Sequence, residues 1–223
     1  MQWIVTGAGR GLGLEFARQL RARGEAVIAT ARRESDLVPL GDLGCETTLL
    51  DVAEADSRAE FASWLGDRPV DVLLNNAGIM GRQRALDDVD LDDLRDCFLI
   101  NAAAPFAVTR SVLPNLRRGE AKLVLQMTSK MGSIADNQSG GAYAYRASKA
   151  ALNAINKSLA RDLAGEGFRC VLLHPGWVRT DMGGPSAPLS VEASIEGLLR
   201  VIDGLEAADS GAFFDFAGEP IPF

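Results

Sequence analysis

The sequence predicts a single α/β domain, residues 1–223, in which helices cover both faces of a doubly wound parallel sheet. Short apolar, β-branched runs recur along the chain, and longer segments with helical spacing separate them. No Pro/Gly/Ser-rich linker, charge block or internal repeat divides the 223 residues. A chain of this length can bury roughly 70% of its unfolded surface around one core. We therefore expect a three-layer α/β/α domain of Rossmann-like architecture.

Seven apolar runs are predicted to be buried strands, because each is bounded by Gly, Pro, Asn, Asp or charged residues. In chain order they are Trp3–Val5, Ala26–Thr30, Thr47–Leu50, Val70–Leu74, Leu123–Met127, Cys170–Leu173 and Phe213–Phe214. Apolar residues at helical spacing predict the helices Leu12–Arg23, Asp56–Leu65, Leu91–Leu116, Tyr143–Leu163 and Val191–Ile202. Because a helix separates most consecutive strands, those strands should run parallel.

The composition indicates an acidic globular protein, with 47% hydrophobic residues, 24% charged residues and a net charge of −7. Nucleic-acid affinity depends on clustered Lys and Arg that release counterions from phosphates, so nucleic acid is not expected as a partner. The first residues lack a basic n-region, and we expect no apolar stretch of ~18 residues. The sequence thus predicts neither an export signal nor a membrane span, and we expect a cytoplasmic protein.

The three cysteines, Cys45, Cys97 and Cys170, are widely spaced and form no C-x-x-C pattern. An odd number of distant cysteines indicates neither a disulfide framework nor a zinc site. We expect reduced, buried thiols and no metal.

A glycine-rich loop joins the first predicted strand to the first predicted helix. It reads Thr6-Gly7-Ala8-Gly9-Arg10-Gly11-Leu12-Gly13. Glycines permit a tight turn and a close approach of the backbone to a pyrophosphate, and the helix N-terminus then supplies N–H donors. Such a loop can also be a plain turn, so residues further along the chain must decide between the two interpretations.

Further motifs follow this loop in a fixed order. They are the T-G-x-x-x-G-x-G spacing itself, Asp51, Asn75-Asn76-Ala77-Gly78, Asn101, Tyr145-x-x-x-Lys149 and Pro175-Gly176-x-x-x-Thr180. Together they resemble the short-chain dehydrogenase/reductase family over nearly the whole chain. The resemblance implies a nicotinamide dinucleotide cofactor and hydride transfer to or from a small carbonyl or alcohol substrate.

In that family the residue at the Asp51 position bonds the adenine amino group, and the Asn75–Gly78 turn lines the adenine and ribose channel. Asp51 could instead be a helix cap or turn residue. The expected cofactor-binding residues are Thr6, Gly7, Gly9, Arg10, Gly11, Leu12, Gly13, Arg32, Arg33, Asp51, Val52, Asn76, Ala77, Gly78, Tyr145, Lys149, Pro175, Gly176, Val178 and Thr180.

The end of the second predicted strand indicates which dinucleotide is preferred. Dinucleotide folds that prefer NAD place an acid there for the ribose 2′-hydroxyl, whereas NADP requires cationic contacts to a 2′-phosphate. Here the strand ends without an acid, and Arg10, Arg32 and Arg33 can all meet a phosphate. We expect NADP(H) to be preferred over NAD(H). Alternatively these arginines are ordinary surface residues, one of them neutralised by Glu34.

Tyr145 and Lys149 carry the predicted chemistry. They are four residues apart on a predicted helix, so both side chains lie on one face. A phenol has an ordinary pKa of ~10, and a nearby ammonium together with the nicotinamide charge should lower it. Tyr145 is therefore the predicted catalytic acid/base. Tyr143 has Ala147, not a lysine, one turn onward, so we expect it to line the substrate pocket.

The family resemblance implies two more catalytic residues. Ser129, after the fifth predicted strand, would hydrogen-bond the reacting oxygen, with Thr128 and Ser133 as alternatives. Asn101 would hold a water that links Lys149 to solvent; alternatively it is an interior helix Asn that bonds backbone. The lone histidine, His174, is expected to be non-catalytic because Tyr145 already fills the acid/base role.

Around the presumed nicotinamide site, Met80, Met131, Trp177 and Met182 could form an apolar substrate wall. The segment Asp181–Val191 should cover the substrate and, being Gly/Pro-rich, should be mobile.

The segment Ser129–Lys149 resembles sniffer-type carbonyl reductases and C-signal-like proteins. We therefore predict an NADP(H)-dependent enzyme that reduces a ketone or aldehyde. The alternatives are a nucleotide-responsive signalling module and a sugar epimerase or dehydratase, the latter disfavoured because little chain follows Thr180. By analogy with the family, we expect a homodimer or homotetramer assembled through the helices Leu91–Leu116 and Tyr143–Leu163.

Overall fold

The structure is a computed structural model that describes residues 1–82 and 86–223. Its strands are β1 (Gln2–Val5), β2 (Ala26–Ala31), β3 (Glu46–Leu49), β4 (Val72–Asn75), β5 (Leu123–Met127), β6 (Arg169–His174) and β7 (Phe213–Asp215). They form one parallel sheet in the order β3-β2-β1-β4-β5-β6-β7. The order reverses between β1 and β4, which confirms the doubly wound Rossmann-like sheet.

The helices are α1 (Gly11–Ala22), α2 (Val38–Asp42), α3 (Ala55–Leu65), α4 (Leu91–Phe98), α5 (Ala104–Arg118), α6 (Tyr143–Asp162) and α7 (Val191–Asp203). Every predicted strand and helix is present, with ends shifted by at most a few residues. The sequence analysis missed α2, whose five residues include Pro39 and are too few to show a helical period.

Successive residues of each strand contact opposite helical layers, because side chains alternate across a sheet. Trp3 and Val5 pack with Phe16 of α1 and Leu198 of α7. Ile4, between them in sequence, belongs to the core on the other face, where the large apolar residues are Leu73, Phe61, Val108, Val112, Leu116 and Leu159. The sheet is therefore buried on both sides, which gives the predicted three layers.

The predicted helix Leu91–Leu116 is interrupted in its middle. A π turn, Leu99–Ala103, lies between α4 and α5. Proline has no N–H, so Pro105 cannot donate to the carbonyl of Asn101, four residues earlier. This missing bond accounts for the change in helical pattern, and π turns of this kind are frequent at functional sites.

The expectation that no long apolar stretch exists was wrong for this same segment. Leu91–Arg118 spans 28 residues, with a mean hydropathy of 1.3 in its most apolar window, 44% of which is buried. By length and composition alone this helix could cross a membrane. One face of it packs on the sheet, however, where Val108, Val112 and Leu116 are fully buried. We therefore interpret it as a core helix. A helix that packs in a protein core needs apolar residues, as a membrane-spanning helix does, so length and hydropathy alone do not distinguish the two.

Candidate active site

A cavity of about 960 Å³ lies at the carboxyl edge of the sheet, where the strand order reverses. Two parts of its wall are distinguished below. The glycine-loop end comprises the lining residues within 7–13, 31–36, 50–52 and 76–78, and the substrate wall comprises the lining residues within 129–149 together with His174. Tyr143, which was expected to line the substrate pocket, does not line this cavity. Of the residues predicted to bind the cofactor, all except Thr6 line this cavity. Ser129, Tyr145 and Lys149 also line it, whereas Asn101 does not.

The glycine loop leaves no room for side chains at three of its positions, Gly7, Gly9 and Gly13. A Cβ at Gly13 would lie 2.5 Å from the Gly7 carbonyl oxygen, and one at Gly7 would lie 2.8 Å from Ala77 Cα. Helix α1 begins at Gly11 with no side-chain cap and no acid in its first turn. Its first N–H groups thus retain hydrogen-bonding capacity at a positive dipole end, so the residues present fit a bound pyrophosphate.

Thr6 braces this loop from behind. Its hydroxyl oxygen accepts hydrogen bonds from the backbone N–H of Asn76, at 3.0 Å, and of Ala77, at 3.2 Å. In return Asn76 Nδ2 donates to the carbonyls of Thr6 and Gly7, at 2.9 and 3.0 Å. Thr6 is buried away from the cavity, so it positions the loop instead of forming its wall.

Asp51 has the turn geometry that the sequence left as an alternative. Its Oδ1 accepts from the Ala53 N–H at 3.0 Å, and its own N–H donates to Ser57 Oγ at 2.9 Å. Asp51 nevertheless lines the cavity beside Val52. The turn is therefore compatible with a contact to an adenine ring.

The three arginines differ in their partners. Arg10 forms an ion pair with Asp181 at 2.7 Å, and Arg33 bonds Asp36 at 2.9 and 3.2 Å. The hydrogen bonds that Arg33 donates to the Asp36 carboxylate raise the pKa of Arg33. The expected neutraliser was Glu34; Asp36 takes that place because the turn after Arg33 carries it back toward Gly9. Within residues 1–82 and 86–223, Arg32 forms no ion pair.

Tyr145 lies buried beside Ser129 in the substrate wall. Burial raises the pKa of the Tyr145 phenol to about 12, although a hydrogen bond with Ser129 lowers it in part. The predicted lowering by Lys149 is not found in the protein alone, because the Lys149 ammonium lies 5.8 Å from the centre of the tyrosine ring. The desolvation of the Tyr145 phenolate therefore outweighs its attraction to the Lys149 ammonium.

Lys149 is buried one helical turn beyond Tyr145. Its Nζ donates to the Met127 carbonyl at 2.8 Å, at the end of β5. Burial lowers the pKa of the Lys149 ammonium to about 8. Lysine therefore remains mostly charged at neutral pH, at the base of the cavity.

The two alternatives to Ser129 have other partners. Thr128 Oγ1 donates to Asn153 Oδ1 of α6 at 2.7 Å, although Thr128 also lines the cavity. Ser133 Oγ accepts from the Asp136 N–H at 3.1 Å. Ser129 is thus the hydroxyl of the three that bonds Tyr145.

The Asn101 side chain bonds the protein itself, which matches the alternative weighed for it. Its Oδ1 accepts from the Ile79 N–H and its Nδ2 donates to the Ile79 carbonyl, both at 2.8 Å. Nδ2 also donates to Ser148 Oγ at 3.0 Å. A Cβ built on Gly78 would lie 3.0 Å from Asn101 Oδ1 and 3.6 Å from Lys149 Nζ. Asn101 and Lys149 therefore flank the same glycine, and the Asn101 main-chain carbonyl is the one to which Pro105 cannot donate.

His174 ends β6 and lines the cavity. Desolvation, with a smaller contribution from Lys130, lowers its pKa to about 4 against the opposing effect of Asp215 and Asp136. Its Nδ1 is buried without a hydrogen bond. The imidazole is therefore neutral at physiological pH.

The segment after Thr180 is bonded to its neighbours and lies over the cavity. Arg179 donates to the carbonyls of Ala187 and Pro188, at 3.1 and 2.9 Å, and Trp177 Nε1 donates to Gly183 at 2.8 Å. The four residues expected to form an apolar substrate wall all line the cavity: Met80, Met131, Trp177 and Met182.

Sequence reasoning missed several polar residues of the cavity. They are Asp36, Asp136, Gln138, Ser139 and Arg146. Arg146 could have been found, because it directly follows Tyr145. The three cysteines are free and buried. In the described part of the chain no three His, Cys, Asp or Glu residues cluster as metal ligands would.

The family model described as short chain dehydrogenase matches residues 2–188. C-signal of Myxococcus xanthus is 55% identical over 163 residues, which are 73% of this chain and 98% of that protein. The carbonyl reductase Sniffer of D. melanogaster superposes with a TM-score of 0.93 at 32% identity, covering 100% of this chain and 99% of that one. The NADPH-bound carbonyl reductase from chicken fatty liver gives 0.92 at 32% identity, covering 100% and 98%. The chain therefore belongs to the short-chain dehydrogenase family.

Proposed function

We propose that this oxidoreductase uses NADPH to reduce a ketone or aldehyde to an alcohol, through one catalytic domain spanning residues 1–223. The observation that carries the proposal is one continuous cavity that joins an uncapped helix N-terminus to the buried Ser129–Tyr145–Lys149 set. The likeness to two carbonyl reductases, one of them NADPH-bound, supports it.

The glycine-loop end would hold the dinucleotide. The first turn of α1 would bind the pyrophosphate, and Asp51 with Val52 would contact the adenine. Thr180 and Val178 would hold the carboxamide side, against Pro175 and Gly176. When bound, NADPH supplies the hydride.

Preference for NADP(H) over NAD(H) would come mainly from Arg32. This guanidinium lines the cavity without an ion pair in the described residues, whereas Arg33 and Arg10 are bonded to Asp36 and Asp181. A planar fork of donors suits phosphate oxygens. Arg33 and Arg10 would add charge near the 2′-phosphate without being its main ligands.

In the proposed reaction, the hydroxyls of Ser129 and Tyr145 hydrogen-bond the substrate carbonyl oxygen. Tyr145 then gives its proton to that oxygen as negative charge develops there. With a pKa of about 12, the phenol is fully protonated at neutral pH and is ready to act as an acid. A protonated phenol suits the reductive direction, in which Tyr145 gives up a proton.

Proton resupply to Tyr145 would run through Lys149 and a water. The Asn101 side chain is committed to Ile79 and Ser148, so its amide is not the water site. The main-chain carbonyl of Asn101 lacks the donor that a non-proline residue at 105 would give it. We infer that this carbonyl holds the water.

A cofactor-oxidation screen tests the proposal. The protein is incubated with NADPH and with panels of aldehydes, ketones and quinones, while cofactor binding is measured separately by titration. Turnover of at least one panel member, abolished in Tyr145→Phe, supports the reductase. NADPH binding with no turnover of any panel contradicts it.

A second candidate is a nucleotide-responsive signalling module, favoured by the 55% identity with C-signal. The complete Ser129–Tyr145–Lys149 set counts against it, because a binding module has no use for a buried lysine beneath a buried phenol. We place the protein in the cytoplasm as a homodimer or homotetramer. Exposed apolar residues along α4 and α5 support such an assembly: Leu91, Phe98, Leu99 and Phe106.

A further inference from the structure

We propose that Arg146 binds an anionic group of the substrate, so that the preferred substrates are carbonyl compounds bearing a carboxylate. This inference rests on the proposed function and names the substrate class for the same cavity. It depends on three features of Arg146: its place in the substrate wall, the absence of a carboxylate partner among the described residues, and the charges around it.

Arg146 directly follows Tyr145 in the first turn of α6, and its backbone N–H closes that turn by donating to Ala142 at 2.9 Å. The side chain lines the same cavity as Ser129 and Tyr145. A substrate whose carbonyl oxygen meets the Tyr145 hydroxyl therefore occupies the cavity that the Arg146 side chain lines.

The Arg146 guanidinium has only neutral partners in the described residues. One terminal nitrogen donates to Ser139 Oγ at 2.8 Å, and the other donates to the Met131 carbonyl at 3.4 Å. Nε is buried without a hydrogen bond. Guanidinium carries five N–H donors, so one N–H on each terminal nitrogen remains for a ligand. A pair of donors in this fork matches a carboxylate.

The other charges of the substrate wall do not compensate Arg146. Lys130 pairs with Asp136 at 3.4 Å, so these two cancel. His174 is neutral at physiological pH. Lys149 is bonded to the Met127 carbonyl and has a role in the proposed proton transfer. The wall therefore carries excess positive charge where the substrate lies.

Helix stability does not explain a cation at this position. The N-terminus of α6 begins after Ala142 with no side-chain cap, and its first turn contains no acid. A helix N-terminus is a positive dipole end that favours anions and disfavours arginine. An anionic ligand would satisfy both the dipole and the guanidinium.

The test compares para- and meta-formylbenzoate with their methyl esters, which keep the aldehyde and lose the charge. We expect the parent to show a kcat/KM for the acids about tenfold or more above that for the esters, as charged hydrogen bonds allow. Arg146→Met should lower this acid/ester ratio by about tenfold, and raised salt should lower the kcat/KM of the acids more than that of the esters.

The matched control is Arg161→Met, which removes an exposed arginine from the far end of the same helix. Its acid/ester ratio should stay at the parental value, and Arg146→Lys should recover part of the ratio lost in Arg146→Met. Ser139→Ala removes the contact to the loop but keeps the guanidinium, so its ratio should also stay parental. A ratio near one in the parent, or an equal fall in Ser139→Ala and Arg146→Met, overturns the proposal.

A binding experiment separates this inference from the reductase activity. Calorimetric titration of benzoate and of benzamide into the NADP⁺-loaded protein needs no turnover. Benzoate should bind more tightly than benzamide, and Arg146→Met should remove the difference. Equal binding of the two compounds to the parent overturns the inference even if neutral aldehydes are reduced, in which case the proposed function stands.

Discussion

The glycine-loop end and the substrate wall of the cavity are built in different ways. At the glycine-loop end the backbone of residues 7–13 forms much of the surface: glycines exclude side chains, and the Thr6 and Asn76 side chains tie the loop to the end of β4 by hydrogen bonds to main-chain groups. The substrate wall is formed by side chains, among them a buried phenol and a buried lysine. We infer that replacements in the wall change chemistry, whereas replacements at the glycine-loop end change cofactor affinity.

The largest effect expected from this comparison is that of Tyr145→Phe. Deleting the phenolic oxygen should lower kcat for carbonyl reduction by about 10²–10⁴-fold, because a positioned proton donor is lost. Phenylalanine keeps the ring's packing, so the NADPH dissociation constant and Tm should remain near parental values. Retention of near-parental turnover on a substrate found in the screen would falsify the mechanism.

Lys149→Met should affect both catalysis and cofactor affinity, although Lys149 lies in the substrate wall. The reason is that its ammonium would interact with both the Tyr145 phenol and the cofactor ribose. We expect kcat to fall by about 10²-fold and NADPH binding to weaken as well. Steady-state kinetics and a cofactor titration on the same preparation separate the two effects. Unchanged cofactor affinity would confine Lys149 to the proton-transfer step.

Arg32→Asp should act on cofactor affinity alone. Losing a charged contact to the 2′-phosphate and adding a like charge should weaken NADPH binding by roughly 10–100-fold while affecting NADH little. Arg33→Ala is the matched comparison, and its effect should be smaller because Arg33 is already bonded to Asp36. Parental binding of NADH at least as tight as that of NADPH would contradict the preference for NADP(H).

The smallest effect on turnover is expected for His174→Asn, which should keep kcat within about tenfold of the parent. We expect His174→Asn to change the free energy of unfolding at acid pH instead. The folded-state pKa of His174, about 4, lies below its ordinary value of 6.5. The contribution of the neutral His174 imidazole to the free energy of unfolding is therefore fully present above pH 6.5 and is lost as the pH falls toward 4.

Between pH 7 and pH 4 the parent should thus lose more stability than His174→Asn, by a difference on the order of 2 kcal/mol. Denaturant titrations of both proteins at the two pH values measure it. Equal losses of unfolding free energy in the parent and in His174→Asn would contradict the lowered pKa of His174. A fall in kcat well beyond tenfold in His174→Asn would show that His174 takes part in catalysis.

The sequence predicted the strands, the doubly wound parallel sheet, all the helices except α2 and most of the cavity lining, because glycine spacing, strand period and the Tyr145/Lys149 spacing are local properties. It failed where contacts join distant segments. Arg10 meets Asp181 across 171 positions, and nothing near Arg10 indicates that partner. It also failed where burial sets the outcome: the rise in the pKa of Tyr145 comes from desolvation by the whole fold. The break in the helix containing Asn101 was predictable in principle from Pro105.

Pro105 also has a consequence for engineering this protein. A residue with an N–H at this position could donate to the Asn101 carbonyl and continue the helix, so a search for stabilising substitutions would select Pro105→Ala. The same change would occupy the carbonyl that we assign to the proton-relay water. The missing helical hydrogen bond at Pro105 and the rate of turnover are therefore coupled. A thermostabilised variant that carries Pro105→Ala should turn over more slowly than its parent.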